Sequence, residues 1–216
     1  MPIIGVSGKA RSGKNVFAEY LAAELYEKTR QPYVLMAYAD VLKNMVQEEF
    51  DLSWDQLWGD EKEAEDKRYH KQLKYRGGVR PAVDELPSSY WTGREIMQAF
   101  GSFYRSIDPN FWVKKLFRII EEKEYNSVII TDVRYPNEVD PVLEKGGYHI
   151  RVHRDIESKI HGQQHSSETS LDEGYKVDFN VKNNSTLDHL RDVAADIVGA
   201  ILQMENLLKD RIPEYK

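Results

Sequence analysis

Apolar positions along the chain follow two alternating periods, one continuous or near 2 and one near 3.6, and the alternation starts at the amino end. Residues 3–7 form a short apolar run that predicts a buried strand. A glycine-bearing turn over 8–13 follows, and Val16, Phe17, Leu21 and Leu25 then recur at helical spacing. A second strand-like run covers 33–39, with Asp40 placed to cap a helix beginning near Val41. Thr92-Gly93-Arg94-Glu95 has the form of a capping box and precedes Ile96, Met97, Phe100 and Phe103 on one helical side. Asp108-Pro109 predicts another helix start, with Trp112, Leu116, Ile119 and Ile120 as its core stripe. Residues 128–132 read as a strand apolar on both faces that ends in Asp132, as in a parallel sheet covered on both sides. A helix over 136–145 closes at Gly146-Gly147, and Tyr148, Ile150 and Val152, then Val177, Phe179 and Val181, alternate as two more strands. The last helix starts near Ser185 or Thr186 and buries Leu187, Leu190, Val193, Ala194, Ile197, Val198 and Ile201. Strand and helix alternation of this kind predicts an α/β fold with a central parallel sheet.

One stretch breaks the pattern. Residues 60–76 are dense in charge of both signs and poor in apolar residues, which predicts solvated helix or a mobile connection, punctuated by Gly77-Gly78 and Pro81. A chain of 216 residues fits one domain with an inserted lobe. Hydrophobic residues at 41% supply a sizeable core, and the absence of cysteine excludes a disulfide framework or a zinc ribbon and fits a reducing compartment. The opening residues lack a basic leader and no apolar run approaches a membrane span, so a cytoplasmic location is expected. The net charge of −6 disfavours a nucleic-acid polymer as partner. Residues 1–18 nevertheless carry Lys9, Arg11 and Lys14 and no carboxylate, so a local anion site stands out in an acidic chain.

The chemistry sits on that island. Gly8-Lys9-Ala10-Arg11-Ser12-Gly13-Lys14 fits the phosphate-binding pattern GxxxxGK between a predicted strand and helix. Glycines let successive backbone N–H groups face an anion, the helix N-terminus adds its dipole, and Lys14 adds a point charge. Asn15, followed by Val16, stands where a magnesium-ligating Ser or Thr is usual. The metal would be held by the Asn15 carbonyl oxygen or through water, or Ser12 or a distant acid would compensate. Asp132, at the end of an apolar strand, is placed either to hold Mg²⁺ or to cap the next helix. Arg94, Arg105 and Arg134 lie at element ends where guanidinium forks clamp phosphates, and each is equally placed for a surface ion pair. His161 and His165 have a metalloprotease spacing, yet Gly162 replaces the required glutamate. His149 and His153 share a strand face and are structural or exposed residues.

Taken together, the chain resembles the phage-type deoxynucleoside monophosphate kinases, a branch of the P-loop kinases. The resemblance runs through Ser7 to Lys14, Tyr38-Ala39-Asp40-Val41-Leu42-Lys43, Arg94-Glu95-Ile96-Met97-Gln98-Ala99-Phe100-Gly101 and Asp108-Pro109-Asn110-Phe111-Trp112-Val113. It continues through Asp132-Val133-Arg134 with Glu138, His165-Ser166-Ser167-Glu168, and Val181 to Leu187. It implies a three-layer fold over residues 1–216, a helical substrate lobe over 41–112 and a lid over 154–170. It further implies transfer of the γ-phosphoryl of ATP to a deoxynucleoside monophosphate with Mg²⁺ as cofactor, in the cytoplasm of a host, by a monomer or a homodimer. Lys14, Arg11, Arg134 and Asp132 are the implied catalytic residues, with the donor on residues 8–16. Lys43, Arg94, Gln98, Arg105, Trp112, Asp132, Arg134 and Glu138 are the implied acceptor residues, and Asn15 and Asp132 the metal ligands. Two other functions fit the phosphate loop: a P-loop kinase for another small acceptor, and a nucleotide-binding switch. The acceptor base is not readable from the sequence, because base choice follows pocket shape.

Overall fold

The computed structural model describes residues 2–71, 90–155, 171 and 175–211, the last four of these by backbone only. The expected turn at Gly77, Gly78 and Pro81, the two-histidine motif at 161–165, the family motif at 165–168 and lid residues 156–170 lie outside the described residues. The chain divides into two compact units, one formed by Met1–Tyr38 with Leu116–Lys216, the other by Ala39–Lys115.

The first unit is built on strands β1 (Ile4–Ser7), β2 (Val34–Met36), β5 (Val128–Val133), β6 (Tyr148–His153) and β7 (Phe179–Lys182). They form one five-stranded sheet in the order β2-β5-β1-β6-β7, and all pairs are parallel. This is the central parallel sheet expected from the alternation. Parallel neighbours require crossovers, and the connections supply them as helices. Helices α1 (Lys14–Thr29) and α7 (Leu187–Arg211) share a core with one sheet face, where Ile4, Val6, Ile150, Val152 and Val181 meet Phe17, Leu21, Leu25, Leu190, Val198 and Ile201. On the opposite face Gly5 approaches Val142 of α6 (Pro136–Glu144); a Cβ at Gly5 would stand 3.5 Å from it. Gly146, with φ +72°, ends α6 as expected.

The second unit has a smaller core of Val46, Leu52, Leu57 and Ile96, ringed by aromatic side chains including Phe50, Tyr69, Trp91 and Phe100. Its helices include α3 (Trp54–Leu57) and α4 (Gly93–Ile107). Residues from Ala39 to the end of α2 (Tyr38–Phe50) and the first part of α5 (Phe111–Glu122) complete it. Both halves of the expected Thr92/Glu95 capping box are present, with Glu95 N–H donating to Thr92 Oγ1 at 3.2 Å and Thr92 N–H to Glu95 Oε2 at 2.9 Å. A second box, Ser53 with Gln56, starts α3.

Several sequence expectations need correction. The run 33–39 is not one strand: β2 spans three residues and α2 already begins at Tyr38, with Asp40 inside its first turn. The cause is non-local, because Asp132 Oδ1 accepts the Tyr38 N–H at 2.8 Å and so caps a helix 94 residues away. The charged stretch is neither helix nor loose connection over its described part. After a 3₁₀ turn at Asp60–Glu63, strand β3 (Glu65–His70) pairs antiparallel with β4 (Tyr90–Thr92). Phe103 and Leu187, read as core, are each 59% exposed; Leu187 is the first residue of its helix, α7.

The charge in β3 has a local explanation. Asp66 is buried and accepts from Arg68 Nη2 at 2.7 Å and Gln56 Nε2 at 3.0 Å. The Arg68 guanidinium, with smaller help from Gln56, holds the Asp66 carboxyl far below the usual carboxylate range against the opposing effect of burial. A carboxyl with a depressed folded pKa contributes stability that is complete above its unfolded value of 3.8 and is lost as the pH falls through the folded value. Thermal melts between about pH 5 and pH 2 should therefore show a steeper acid loss for the native chain than for Asp66→Asn. The two curves should draw closer as the pH falls through this window.

Candidate nucleotide site

The phosphate loop joins the carboxyl end of β1 to α1, at the middle of the sheet, where parallel α/β proteins bind ligands. Its path depends on backbone conformations open to few residues. Gly13 has φ +86° and Arg11 φ +62°. A Cβ on Gly13 would lie 2.2 Å from Asn183 Nδ2, and one on Gly8 would lie 2.5 Å from the Val152 carbonyl oxygen. Ser12 N–H donates to Lys9 O at 3.2 Å, closing the turn, and Phe17 N–H donates to Gly13 O at 3.0 Å, opening the helix.

Gly13 gives α1 no side-chain cap, and the first turn holds no acidic residue. The side-chain capping that Thr92 and Glu95 supply to α4 is thus not supplied by the N-cap residue of α1, a start suited to an external anion. Lys14 is buried to 9% exposure and its Nζ donates to Lys9 O at 3.4 Å, which holds the ammonium back against the loop. Lys9, Ala10, Arg11 and Asn15 are exposed, and Val16 is half-buried. Ser12 is buried, and its hydroxyl, which has no hydrogen-bond partner among the described residues, faces Gly8.

Three sequence-selected residues from β5 and α6 surround the same strand ends. Asp132 is half-buried with Oδ1 on the Tyr38 amide. Glu138, 4% exposed, accepts the N–H groups of Arg134 at 2.7 Å and Tyr135 at 3.2 Å, so its carboxylate fixes the backbone that carries Arg134. Tyr38 Oη donates to Glu138 O at 3.1 Å, and burial, reinforced by Glu138 and Asp132, pushes its phenol above the ordinary tyrosine range. A small cavity is lined by Ser7, Gly8, Lys9, Val133, Arg134, Arg151 and Leu171, with three cations and no carboxylate among them.

Two residues here carried no site role in the sequence, although Asn183 lies within the family motif at 181–187. Asn183 donates from Nδ2 to Ser12 O at 2.9 Å and from its backbone N–H to His153 O at 2.7 Å, tying the end of β7 to the loop. Arg151, whose guanidinium also donates to Leu171 O, comes from the strand paired with Ser7. The signal for Asn183 was an amide at the end of an alternating strand, but nothing local says which loop it meets. Next to Asn183, Asn184 lines a cavity of about 550 Å³ with His153, Asp155, Asn180, Lys182 and His189.

The remaining sequence-selected residues belong to the second unit. Arg94, Gln98, Gly101 and Arg105 fall on one stripe of α4 at spacings of 4, 3 and 4. Arg94 pairs with exposed Glu63, Gln98 is exposed, and Arg105 is half-buried. Lys43 Nζ lies 3.6 Å from Asp40 Oδ1 and 5.3 Å from the centre of the Trp58 ring. Trp112 is 2% exposed; its indole N–H donates to Gly101 O at 3.2 Å and its ring packs against Phe100, Tyr104 and Phe111, a core position. A cavity of about 440 Å³ on the opposite side of α4 is lined by Phe50, Arg68, Tyr69, Trp91, Ile96 and Phe100 with His70 and Ala99.

No group of three or more candidate metal-ligating side chains occurs among the described residues, and no described helix is long and apolar enough to cross a membrane. A parallel sheet with a GxxxxGK loop leading into an uncapped helix defines the class: a nucleotide-binding P-loop protein. A family model described as "Deoxynucleotide monophosphate kinase" matches residues 60–193, and the chain belongs to that family. A protein of Acanthamoeba polyphaga mimivirus, provisionally named a deoxynucleotide monophosphate kinase, is 28% identical over 213 residues, covering 94% of this chain and 100% of its own length. An uncharacterized protein, ORF77, of Ictalurid herpesvirus 1 (strain Auburn) is 32% identical over 103 residues, covering 46% of this chain and 45% of its own. Among solved structures, dephospho-CoA kinase from Campylobacter jejuni aligns with a TM-score of 0.46 at 14% identity, over 94% of this chain and 98% of that one. A sugar kinase from Janibacter sp. HTCC2649 aligns with a TM-score of 0.35 at 13% identity, over 91% and 93%.

The loop geometry makes two stability predictions, both readable by urea denaturation. Asn183→Ala leaves the buried Ser12 carbonyl without its amide donor and should cost about 1–3 kcal/mol. Gly13→Ala should cost about 1–2 kcal/mol for the left-handed backbone, with a further loss from displacement of Asn183.

Proposed function

We propose that the protein transfers the γ-phosphoryl group of ATP to the phosphate of a deoxynucleoside monophosphate, giving ADP and the diphosphate. The observation that carries this reading is the uncapped, acid-free start of α1 beneath a closed phosphate loop, in a chain of this kinase family. The loop amides of residues 8–14 and Lys14 would hold the donor's terminal phosphates, and Arg11 would face them from the turn. The cavity beside Asn184 supports a place for the donor's base, because Asn183 and Asn184 are adjacent and Asn183 already touches the loop.

The polar stripe Arg94, Gln98 and Arg105, with Lys43, would bind the acceptor, and guanidinium forks suit its phosphate. Trp112 would serve indirectly, by packing the helix that carries the stripe. Glu138 would act in the same indirect way on Arg134, which with Asp132 would face the transferred group. No general base is required, since a phosphate monoester with a second pKa near about 6 is mostly dianionic at neutral pH. The work left to the protein is to align two polyanions and surround the moving phosphoryl with cations.

Mg²⁺ fits the oxygen donors present, the Asp132 carboxylate and the Asn15 amide oxygen, because this ion commonly takes one or two protein ligands and completes its shell with phosphates and water. When bound, it would neutralise charge on the donor's phosphates.

Lys14→Ala should lower phosphoryl transfer by about 10²–10³-fold while the unfolding midpoint stays near that of the native chain. Arg94→Ala should raise the acceptor KM and leave the ATP KM alone. Its exposed pair with Glu63 is worth only about 0–1 kcal/mol, so stability should hardly change. The deciding measurement is ADP release across the common nucleoside monophosphates in ribose and deoxyribose forms. Turnover confined to deoxynucleotides supports the proposal; turnover with another small acceptor alone, or a stoichiometric ADP burst with no phosphorylated acceptor, overturns it.

A further inference from the structure

The imidazole of His149, which takes no part in the mechanism above, sits fully buried in β6. Both ring nitrogens are occupied: Nδ1 lies 2.7 Å from Lys176 O and Nε2 lies 2.7 Å from Ser7 Oγ. A backbone carbonyl only accepts, so Nδ1 carries the proton, and burial lowers the imidazole's pKa and keeps the ring neutral. Nε2 is then an acceptor, and the Ser7 hydroxyl must donate to it. The result is a directed chain, Ser7 O–H to Nε2 and Nδ1–H to Lys176 O.

Ser7 is the last residue of β1, and Gly8 opens the phosphate loop directly after it. Locked as a donor to His149 and 1% exposed, Ser7 has its rotamer set, and its side chain ties the residue before the loop through the ring to the Lys176 carbonyl. Other groups around the ring hold it in place rather than engage its nitrogens. Asp178 Oδ2 accepts the His149 N–H at 2.8 Å, Asp178 N–H donates to His149 O at 2.8 Å, and the Tyr175 ring stands edge-on at 6.2 Å.

We propose that His149 is a positioning residue that fixes the entry of the phosphate loop through Ser7 and anchors it to the Lys176 backbone. The inference rests on the nucleotide-binding part of the function proposed above and adds a residue to it.

Two conservative variants separate this role from simple packing. His149→Gln keeps an amide group near the Nε2 position that can accept from Ser7, whereas His149→Asn keeps a donor near Nδ1 and has nothing to offer Ser7. Titration of the full chain with a fluorescent ATP analogue, alongside thermal melts, should show affinity falling about tenfold in His149→Asn and in Ser7→Ala, with His149→Gln close to native. The double variant Ser7→Ala/His149→Asn should bind no more weakly than either single one, since both cut the same bond. Equal losses in Asn and Gln variants that track their melting temperatures, or native affinity in Ser7→Ala, would overturn the proposal. A native chain that binds the analogue yet phosphorylates no deoxynucleotide would sink the kinase reading and leave the Ser7–His149 coupling standing.

Discussion

An anion can be gathered by backbone amides only if those amides are left without partners inside the protein. At the start of α1 the N-cap position brings no such partner: Gly13 has no side chain to cap the helix, and no carboxylate enters the first turn. Elsewhere the chain does the opposite. Thr92 with Glu95 and Ser53 with Gln56 close their helix starts with reciprocal bonds, and Glu138 covers the amides before α6. The contrast sets the start of α1, with no side-chain cap from Gly13, apart from these three.

The structure around that start explains residues which look unrelated in sequence. Val152 O and Asn183 crowd the two loop glycines, so the loop's left-handed turns are enforced from β6 and from the end of β7. Asp132 reaches from β5 to the amide of Tyr38, and Tyr38 reaches back to Glu138 O, so one short network links β5, the start of α2 and α6. In the second unit a buried carboxylate, Asp66, is tolerated because Arg68 and Gln56 satisfy it. The buried side chains of Ser7, His149, Glu138 and Asp66 are paired and directional, which gives their surroundings a fixed shape.

Much of this was legible along the chain. The near-continuous apolar run at 128–132 announced a strand covered on both faces, the alternation of Tyr148, Ile150 and Val152 announced another, and the glycine-lysine loop announced its ligand class through spacing alone. The Thr92 box was legible because both of its bonds span three residues. What escaped was non-local. The early start of α2 depends on a carboxylate 94 positions away, and β3 depends on pairing with a strand twenty residues further along. A charged segment such as Glu65–His70 carries no alternation of its own, so its extended form is decided by its partner and by the Asp66–Arg68 pair.

The sequence by itself determined the alternating elements, the glycine-bearing loop ahead of the first helix and the positive island, since each follows from local spacing, backbone preference and charge. Tertiary structure alone decided that Asn183 clamps the loop, that Glu138 serves the backbone of Arg134, and that His149 meets Ser7. These pairings join residues 171, 4 and 142 positions apart. The shortest of them depends on how β5 delivers its end to α6, and the others on which strands become neighbours, a choice made by the packing of the whole sheet.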